Sequence, residues 1–202
     1  CIQNPGSADA NVTITYMKGD GTTDSQTLTV GKNSRSTVVV KDRLGTGDDA
    51  AHDFSAKVEC TNGQAIIAER PMYFNYKGIW TGGHDVVGAL AAATTFYFAE
   101  GSCRPGLDPY ICIQNPGSED ASVTITYMKG DGTTDSQTLM VGKNSRSTVY
   151  TRDRLGTADD AAHDFSCTVQ CTNGQSIIAE RPMYFSYKGA WTGGHDVVGF
   201  TP

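Results

Sequence analysis

Three features are scarce in this sequence, and each scarcity argues against a class of function. Lysine and arginine number 16 against 22 aspartate and glutamate residues, which gives a formal net charge of −6. Nucleic acid and anionic lipid both require a basic face on their partner, so the charge balance argues against both. No stretch approaches the roughly 18 apolar residues of a membrane-spanning helix. Cys-x-x-Cys pairs and histidines at ligand spacing are also absent, which argues against a zinc site.

What the sequence does contain is one unit written twice. Residues 1–88 return as residues 112–199 at an offset of 111, with 13 mismatches in the 88 aligned positions. Repeats of this kind commonly form arrays that serve reach, adhesion or assembly. The segment from Thr95 to Tyr110 occurs once, and nothing ahead of Cys1 matches it. We therefore expect an incomplete first copy, to be completed by a preceding repeat of a longer chain or by another chain.

The hydrophobic pattern has a period of two, which is typical of half-buried β-strands. Turn residues separate the alternating runs about every 8–12 residues, and only the stretch 43–53 suggests a helical turn. The predicted strands are Val12–Tyr16, Gln26–Val30, Ser36–Val40, Ala56–Cys60 and 65–74 (bent at Pro71), with Phe96–Phe98 and Tyr110–Ile113 added in the second copy.

This pattern predicts an all-β protein of two tandem immunoglobulin-like antiparallel β-sandwich domains. A β-propeller blade is the alternative, but blades are shorter, at about 40–50 residues. The first domain is placed at 1–94 and lacks its first strand. The second domain is placed at 95–202, and its strand 95–101 is a candidate for a strand that both domains share.

Six cysteines are more than a reducing compartment usually tolerates in a chain of this length. Four recur between the copies. The two that occur once are Cys103, in the unduplicated segment, and Cys167, whose counterpart is Ala56, so the two are absent together from the first copy. We predict an extracellular protein with a disulfide framework, and buried free thiols are the alternative. The predicted pairs are Cys1–Cys60, Cys112–Cys171 and Cys103–Cys167.

No pattern in the sequence assembles a nucleophile with a base and an orienting group, so we predict a protein without enzymatic activity. Calcium prefers carboxylate oxygens, and Asp48, Asp49 and Asp53 are the candidate ligands. Tryptophan rings can stack on sugars, although a core or inter-unit contact explains them equally well. The candidate glycan-binding residues are Trp80, Trp191, His84 and His195.

Six motifs of this sequence occur in a fixed order: Phe96–Gly101, Cys112–Gly117, Val123–Tyr127, Ser145–Val149, Ala179–Phe185 and Gly193–Gly199. Together they resemble a tandem repeat of secreted and surface-attached prokaryotic proteins. No reaction is assigned to that family, so the resemblance implies surface location and tandem display. In the family's pattern each repeat begins with the Phe-Ala-Glu-Gly strand, and this sequence departs from it ahead of Cys1.

These observations predict a structural or adhesive repeat protein of an extracellular surface layer, stalk or filament. Its expected partners are copies of itself or adjacent repeats of a longer chain, joined head to tail. Phe96, Tyr97 and Phe98 are the predicted assembly strand, which would be added to the edge of a neighbouring sheet. The alternative is an extracellular carbohydrate-binding module. Apart from the calcium hypothesis no cofactor is expected.

Overall fold

The computed structural model describes residues 1–202, and its strands pair antiparallel throughout. The first unit (1–94) contains β1 (Ile2–Asn4), β2 (Ala10–Lys18), β3 (Thr23–Val30), β4 (Ser34–Ser36), α1 (Lys41–Leu44), β5 (Phe54–Cys60), β6 (Ile67–Ala68), β7 (Met72–Tyr76) and β8 (Trp80–His84). The second unit (95–202) contains β9 (Thr95–Phe98), β10 (Leu107–Asn115), β11 (Ala121–Lys129), β12 (Thr134–Val141), β13 (Ser145–Tyr150), α2 (Thr151–Leu155), a 3-10 helix (Ala161–His163), β14 (Phe165–Cys171), β15 (Ile178–Glu180), β16 (Met183–Tyr187) and β17 (Trp191–His195). The predicted all-β class is confirmed. No helix is long and apolar enough to cross a membrane.

In the second unit, strands from two sheets contribute to one core. One sheet has the order β12-β11-β14-β9, and the other has β13-β10-β16-β17 with β15 also paired to β10. Inward side chains of both sheets, among them Val169, Ile111 and Ile113, are fully buried in one cluster of 16 residues. Burying a side chain of this size stabilises the fold by about 1.5–3 kcal/mol, so this cluster is the main source of stability in the unit.

The first unit repeats this arrangement without its outermost strand. Its sheet β3-β2-β5 ends at β5, whereas the matching strand β14 is also paired with β9. Its core cluster has only six buried residues. Val58, the counterpart of the fully buried Val169, is only partly buried. The edge of β5 is therefore open, and the apolar layer behind it is partly exposed.

Strand β9 fills a defined slot in the second unit. Phe96 and Phe98 are both buried, and a Cβ atom added to Gly199 would lie 2.9 Å from the Phe96 Cβ and 2.7 Å from the Phe98 ring. Gly88 is the counterpart of Gly199, and a Cβ atom there would meet only the carbonyl oxygen of Ala68, at 3.5 Å. Gly88 and β5 therefore border an open slot where the second unit holds β9.

The strand predicted at Ser36–Val40 is wrong for the first unit. Pairing to β1 stops at Ser36, and Val40 already has helical backbone angles as the cap of α1. The same stretch in the second unit does continue as β13, because Tyr150 pairs with Tyr110 of the unduplicated segment. The first unit has no counterpart of that partner, so its backbone turns into the helix early.

None of the predicted disulfides is present, since all six cysteines are free thiols. Cys112 alternates with two fully buried isoleucines, so its side chain is on the outer face of β10, while Cys171 lies in the core. Cys1 is likewise on the outer face, where it accepts a hydrogen bond from Arg35, and Cys60 packs at the edge of the core. Alternation along the strand separates the members of both predicted pairs.

The two cysteines of the third predicted pair lie in one core cluster, and both are free thiols. The backbone N–H of Cys103 donates to the carbonyl of His163 at 2.7 Å, four residues before Cys167. Both thiols are buried, and burial raises the pKa of each to about 12. They stay protonated at neutral pH and react slowly with oxidants.

Candidate interaction surface between the units

The two units contact each other through two different faces. The first unit contributes what we call the knob face, and the second unit contributes the socket face. The knob face consists of Met17, Lys18, Asp53, Arg70, Tyr76 and Lys77. The socket face consists of Asp108, Gln114, Ser145, Arg146, Glu180 and Tyr184. The equivalent strands β8 and β17 also meet here, with the Thr192 hydroxyl donating to the Thr81 carbonyl at 3.4 Å. The rest of the contact joins non-equivalent residues and is heterologous, which is the kind that repeats into open arrays.

Asp108 is at the centre of the socket, and its carboxylate is fully buried. It accepts hydrogen bonds from the Lys77 ammonium at 2.7 Å, from the Tyr150 hydroxyl at 2.9 Å and from the Tyr76 hydroxyl at 3.1 Å, and Arg152 pairs with it at 2.7 Å. Burial alone would raise the pKa of Asp108. The hydrogen bonds and the Arg152 charge outweigh that effect and hold the pKa below its usual value. The tip of hairpin β7–β8 is therefore fixed to a buried charge of the second unit.

Aromatic rings pack around this carboxylate. The Tyr76 ring stacks on Tyr184 with centroids 4.6 Å apart and an interplanar angle of 13°, and its hydroxyl lies 2.6 Å from that of Tyr110. Trp80 lies against the same ring at 5.4 Å. Aromatic pairs contribute about 0.5–1.5 kcal/mol each beyond the area they bury, so these rings add to the stability of the contact.

Arg70 forms a second point of contact. Its guanidinium pairs with Glu180 at 3.0 Å and with Asp196 at 2.5 Å, both in the second unit. Burial and the neighbouring Glu180 raise the pKa of Asp196 well above its usual value, and Arg70 opposes them. Two carboxylates thus share one guanidinium, which ties the segment between β6 and β7 to the second unit.

The end of β2 forms the third point of contact. Gln114 donates to the Met17 sulfur at 3.3 Å, and the Ser145 hydroxyl donates to the Lys18 carbonyl at 3.1 Å. Arg146 lies 3.5 Å from Asp53. Met17 is only 2% exposed as a result.

The candidate glycan-binding residues are divided between two environments. Trp80 and His84 of the first unit lie in the inter-unit contact, and His84 packs beside the rings of Phe74 and Tyr184. Burial, aided by Arg70, lowers the pKa of His84, so it is neutral at pH 7. Trp191, by contrast, is exposed and stacks on Tyr187 at 6.0 Å.

His195 of the second unit packs against the ring of Phe185 and is half-buried. Burial, aided by Arg181, lowers its pKa as well. It therefore contacts protein and is neutral at pH 7. Glycan binding at these residues stays a prediction.

The three aspartates proposed for calcium do not converge. The Asp49 carboxylate is held by the ring of His52 at 2.7 Å and by backbone N–H groups of its own loop. Asp53 faces Arg146 across the contact, and Asp48 is exposed. No three His, Cys, Asp or Glu side chains in the chain are grouped to hold a metal ion. This loop does not form the predicted calcium site.

The model of a family described as a family of unknown function (DUF5719) matches residues 1–175. The chain belongs to this family. Among solved structures, the DUF5719 chain is similar to Thermotoga maritima 1070 at 16% identity and a TM-score of 0.48, covering 56% of this chain and 97% of that one. It is also similar to the Anabaena sensory rhodopsin transducer at 25% identity and a TM-score of 0.38, covering 46% of this chain and 86% of that one. No curated protein matches.

Proposed function

We propose that this chain is a non-enzymatic structural or adhesive repeat protein of an extracellular surface layer, stalk or filament. Its two units act as tandem immunoglobulin-like sandwich domains, 1–94 and 95–202. Repeats are joined head to tail, and the first unit is completed by a strand from a preceding repeat or from another chain.

The observation that carries this proposal is the open edge of β5. Natural proteins avoid exposed, unpaired edges because they expose backbone hydrogen-bonding groups to any passing strand. The counterpart of β5 in the second unit is β14, and its edge is paired with β9. The side chains behind the open edge, including Phe54 and Val58, are only partly buried. A strand with the sequence pattern of β9 would pair that edge and cover them.

The extracellular location is supported by the resemblance to secreted repeats, and the free thiols are compatible with it. Cys103, Cys167 and Cys171 are buried in the core of the second unit. Burial protects a thiol from oxidation, and it also raises the pKa of Cys103 and Cys167, so an oxidising compartment does not require them to be paired.

A carbohydrate-binding module is the second candidate, and the exposed Tyr187–Trp191 stack favours it. A flat pair of rings of this kind can hold a sugar face. The equivalent pair in the first unit, Tyr76 and Trp80, lies within a protein contact instead. That use of the same residues favours the structural proposal.

Strand addition can be tested with a labelled peptide of the sequence 95–101. The backbone N–H of Tyr97 donates to Phe200, away from β14, so the N–H groups of Phe96 and Phe98 face β14. We expect the unmodified peptide to bind the full chain and to stabilise it. At about 100 times its Kd it should raise the free energy of unfolding by about 2.7 kcal/mol. Fluorescence anisotropy and thermal unfolding measure the two effects.

Backbone methylation provides the matched control. A peptide N-methylated at Phe96 loses a ladder hydrogen bond and cannot lie against β5, so we expect it not to bind. A peptide N-methylated at Tyr97 keeps the N–H groups that face β5 and loses only the bond toward Ala89, the counterpart of Phe200, so it should bind more tightly than the peptide methylated at Phe96. Equal binding of the two methylated peptides, or no binding of any peptide, would contradict strand addition at β5.

A further inference from the structure

The contact between the units leaves a second knob and a second socket unused. Because the sequence is duplicated, the second unit carries the residues of the knob face, and the first unit carries those of the socket face except Asp108. Within this chain neither surface contacts another unit, although Asp164 and Arg181 of the second knob pair with Arg104 and Glu100 of their own unit.

The unused knob face is exposed in the second unit. Met17 is 2% exposed in the internal contact, while its counterpart Met128 is 40% exposed. Tyr187, the counterpart of Tyr76, is 47% exposed. Identical side chains thus differ in burial because only one set has a second unit to contact.

The unused socket face is exposed in the first unit. Gln3, Ser34 and Arg35 are the counterparts of Gln114, Ser145 and Arg146, and they line an open groove of about 540 Å³. The three second-unit residues are 9%, 6% and 8% exposed, whereas the three first-unit residues are all exposed.

Tyr73 extends the unused socket face beyond the groove. It is 86% exposed, whereas its counterpart Tyr184 is covered by the ring of Tyr76. The aromatic part of the socket is therefore also free in the first unit.

We propose that a second copy of this chain occupies this groove, with the second unit of one molecule docked on the first unit of the next. By equivalence with the internal contact, the Met128 sulfur accepts from Gln3 and the Ser34 hydroxyl donates to the Lys129 carbonyl. The ring of Tyr187 stacks on Tyr73. This inference rests on the proposed head-to-tail function and names the surfaces that perform it.

The contact between molecules is weaker than the internal one. Asp108 and Tyr110 belong to the unduplicated segment, so Lys188 gains no buried carboxylate when it docks. Arg181, the counterpart of Arg70, is already paired with Glu100 at 2.9 Å. Assembly is therefore concentration-dependent.

Sedimentation velocity of the full chain up to about 1 mM, where pairs with millimolar Kd are populated, tests the proposal. We expect a concentration-dependent series of linear oligomers. Met128→Arg removes the knob and Tyr73→Asp removes the socket, and each should weaken association at least about tenfold. Both side chains are exposed and unpartnered, so both variants should keep the wild-type melting temperature.

Mixing the two variants tests the polarity of the contact. The Tyr73→Asp molecule keeps a knob and the Met128→Arg molecule keeps a socket, so an equal mixture should form dimers and nothing larger. A wild-type chain that stays monomeric, or association that survives both substitutions, would overturn the proposal. Peptide addition at β5 is measured on a different surface, so binding of that peptide by a monomeric chain would leave the proposed function standing and remove only this inference.

Discussion

Asp108→Ala should lower the free energy of unfolding by about 3–5 kcal/mol. The substitution leaves Arg152 as a buried charge without its carboxylate, and removing one partner of a buried ion pair costs that much. It also removes the group that holds Lys77 and Tyr76 of the first unit. Urea unfolding monitored by tryptophan fluorescence measures the loss, and Trp80 reports on the contact directly because it packs on Tyr76.

Asp159→Ala is the matched control, since Asp159 pairs with Arg104 but is 80% exposed. An exposed pair is worth about 0–1 kcal/mol, so this variant should be close to wild type.

The pH dependence of stability gives a second readout. The folded-state pKa of Asp108 is depressed, so its stabilisation is present above the unfolded pKa of about 3.9 and is lost as the pH falls through the folded value. The fall in the free energy of unfolding at acid pH should therefore be smaller in the Asp108→Ala variant than in the wild type. Equal losses of unfolding free energy for Asp108→Ala and Asp159→Ala would contradict the role given to Asp108.

Phe165→Ala should cost about 3–5 kcal/mol, and the same change at Phe54 roughly half of that. Both rings pack edge-on against a tyrosine with centroids 5.5 Å apart, Phe165 on Tyr127 and Phe54 on Tyr16. Phe165 is 4% exposed, because the segment that follows β9 covers it at Gly101. Phe54 has no such cover and is only partly buried.

The pair of variants compares one substitution in two copies of the same site. Chemical denaturation of each, fitted for the unit that carries the change, measures the difference. Similar losses at the two positions would mean that the first unit is as well enclosed as the second. In that case the open edge would have no energetic consequence.

The strands could be predicted because the alternation of apolar and polar side chains that identifies each one lies within a short run of neighbouring residues. Alternation between Val12 and Tyr16 and between Ala56 and Cys60 identifies half-buried strands, and the structure has both. The break at Pro71 falls between β6 and β7 as expected, since proline cannot donate to a ladder. The failure at residues 37–40 has a different origin. There the strand depends on pairing with residues that only the second unit possesses.

The contact between the units could not be read from periodicity, because it joins residues far apart in sequence. Asp108 and Tyr110 were missed for that reason, although a signal was present among the mismatches. Val39 becomes Tyr150 and Lys41 becomes Arg152 in the unit that has Asp108, and both new side chains bond to its carboxylate. These two differences between the copies thus identify residues that contact the unduplicated segment.

Two cysteines that are absent together from the first unit were a signal of the same kind, but the disulfide that we predicted from it is not present. Cys103 and Cys167 are absent together from the first unit, which suggested a bond between them. The structure places both in the core that β9 and the following segment complete, Cys167 on β14 and Cys103 beside the 3-10 helix that precedes it. Their joint absence reflects a shared environment, because both are buried only where that segment is present.

Amide hydrogen exchange along β5 and β14 tests the open edge most directly. The N–H groups of Phe165 and Cys171 donate toward the segment around β9, and alternation directs that of Val169 the same way. The Val58 amide is its equivalent and has no strand to donate to. We expect Val58 to exchange orders of magnitude faster than Val169 in the isolated chain and to become protected when the 95–101 sequence is supplied. Equal protection of the two amides in the isolated chain would show that the first unit is already closed and would contradict strand completion by a neighbour.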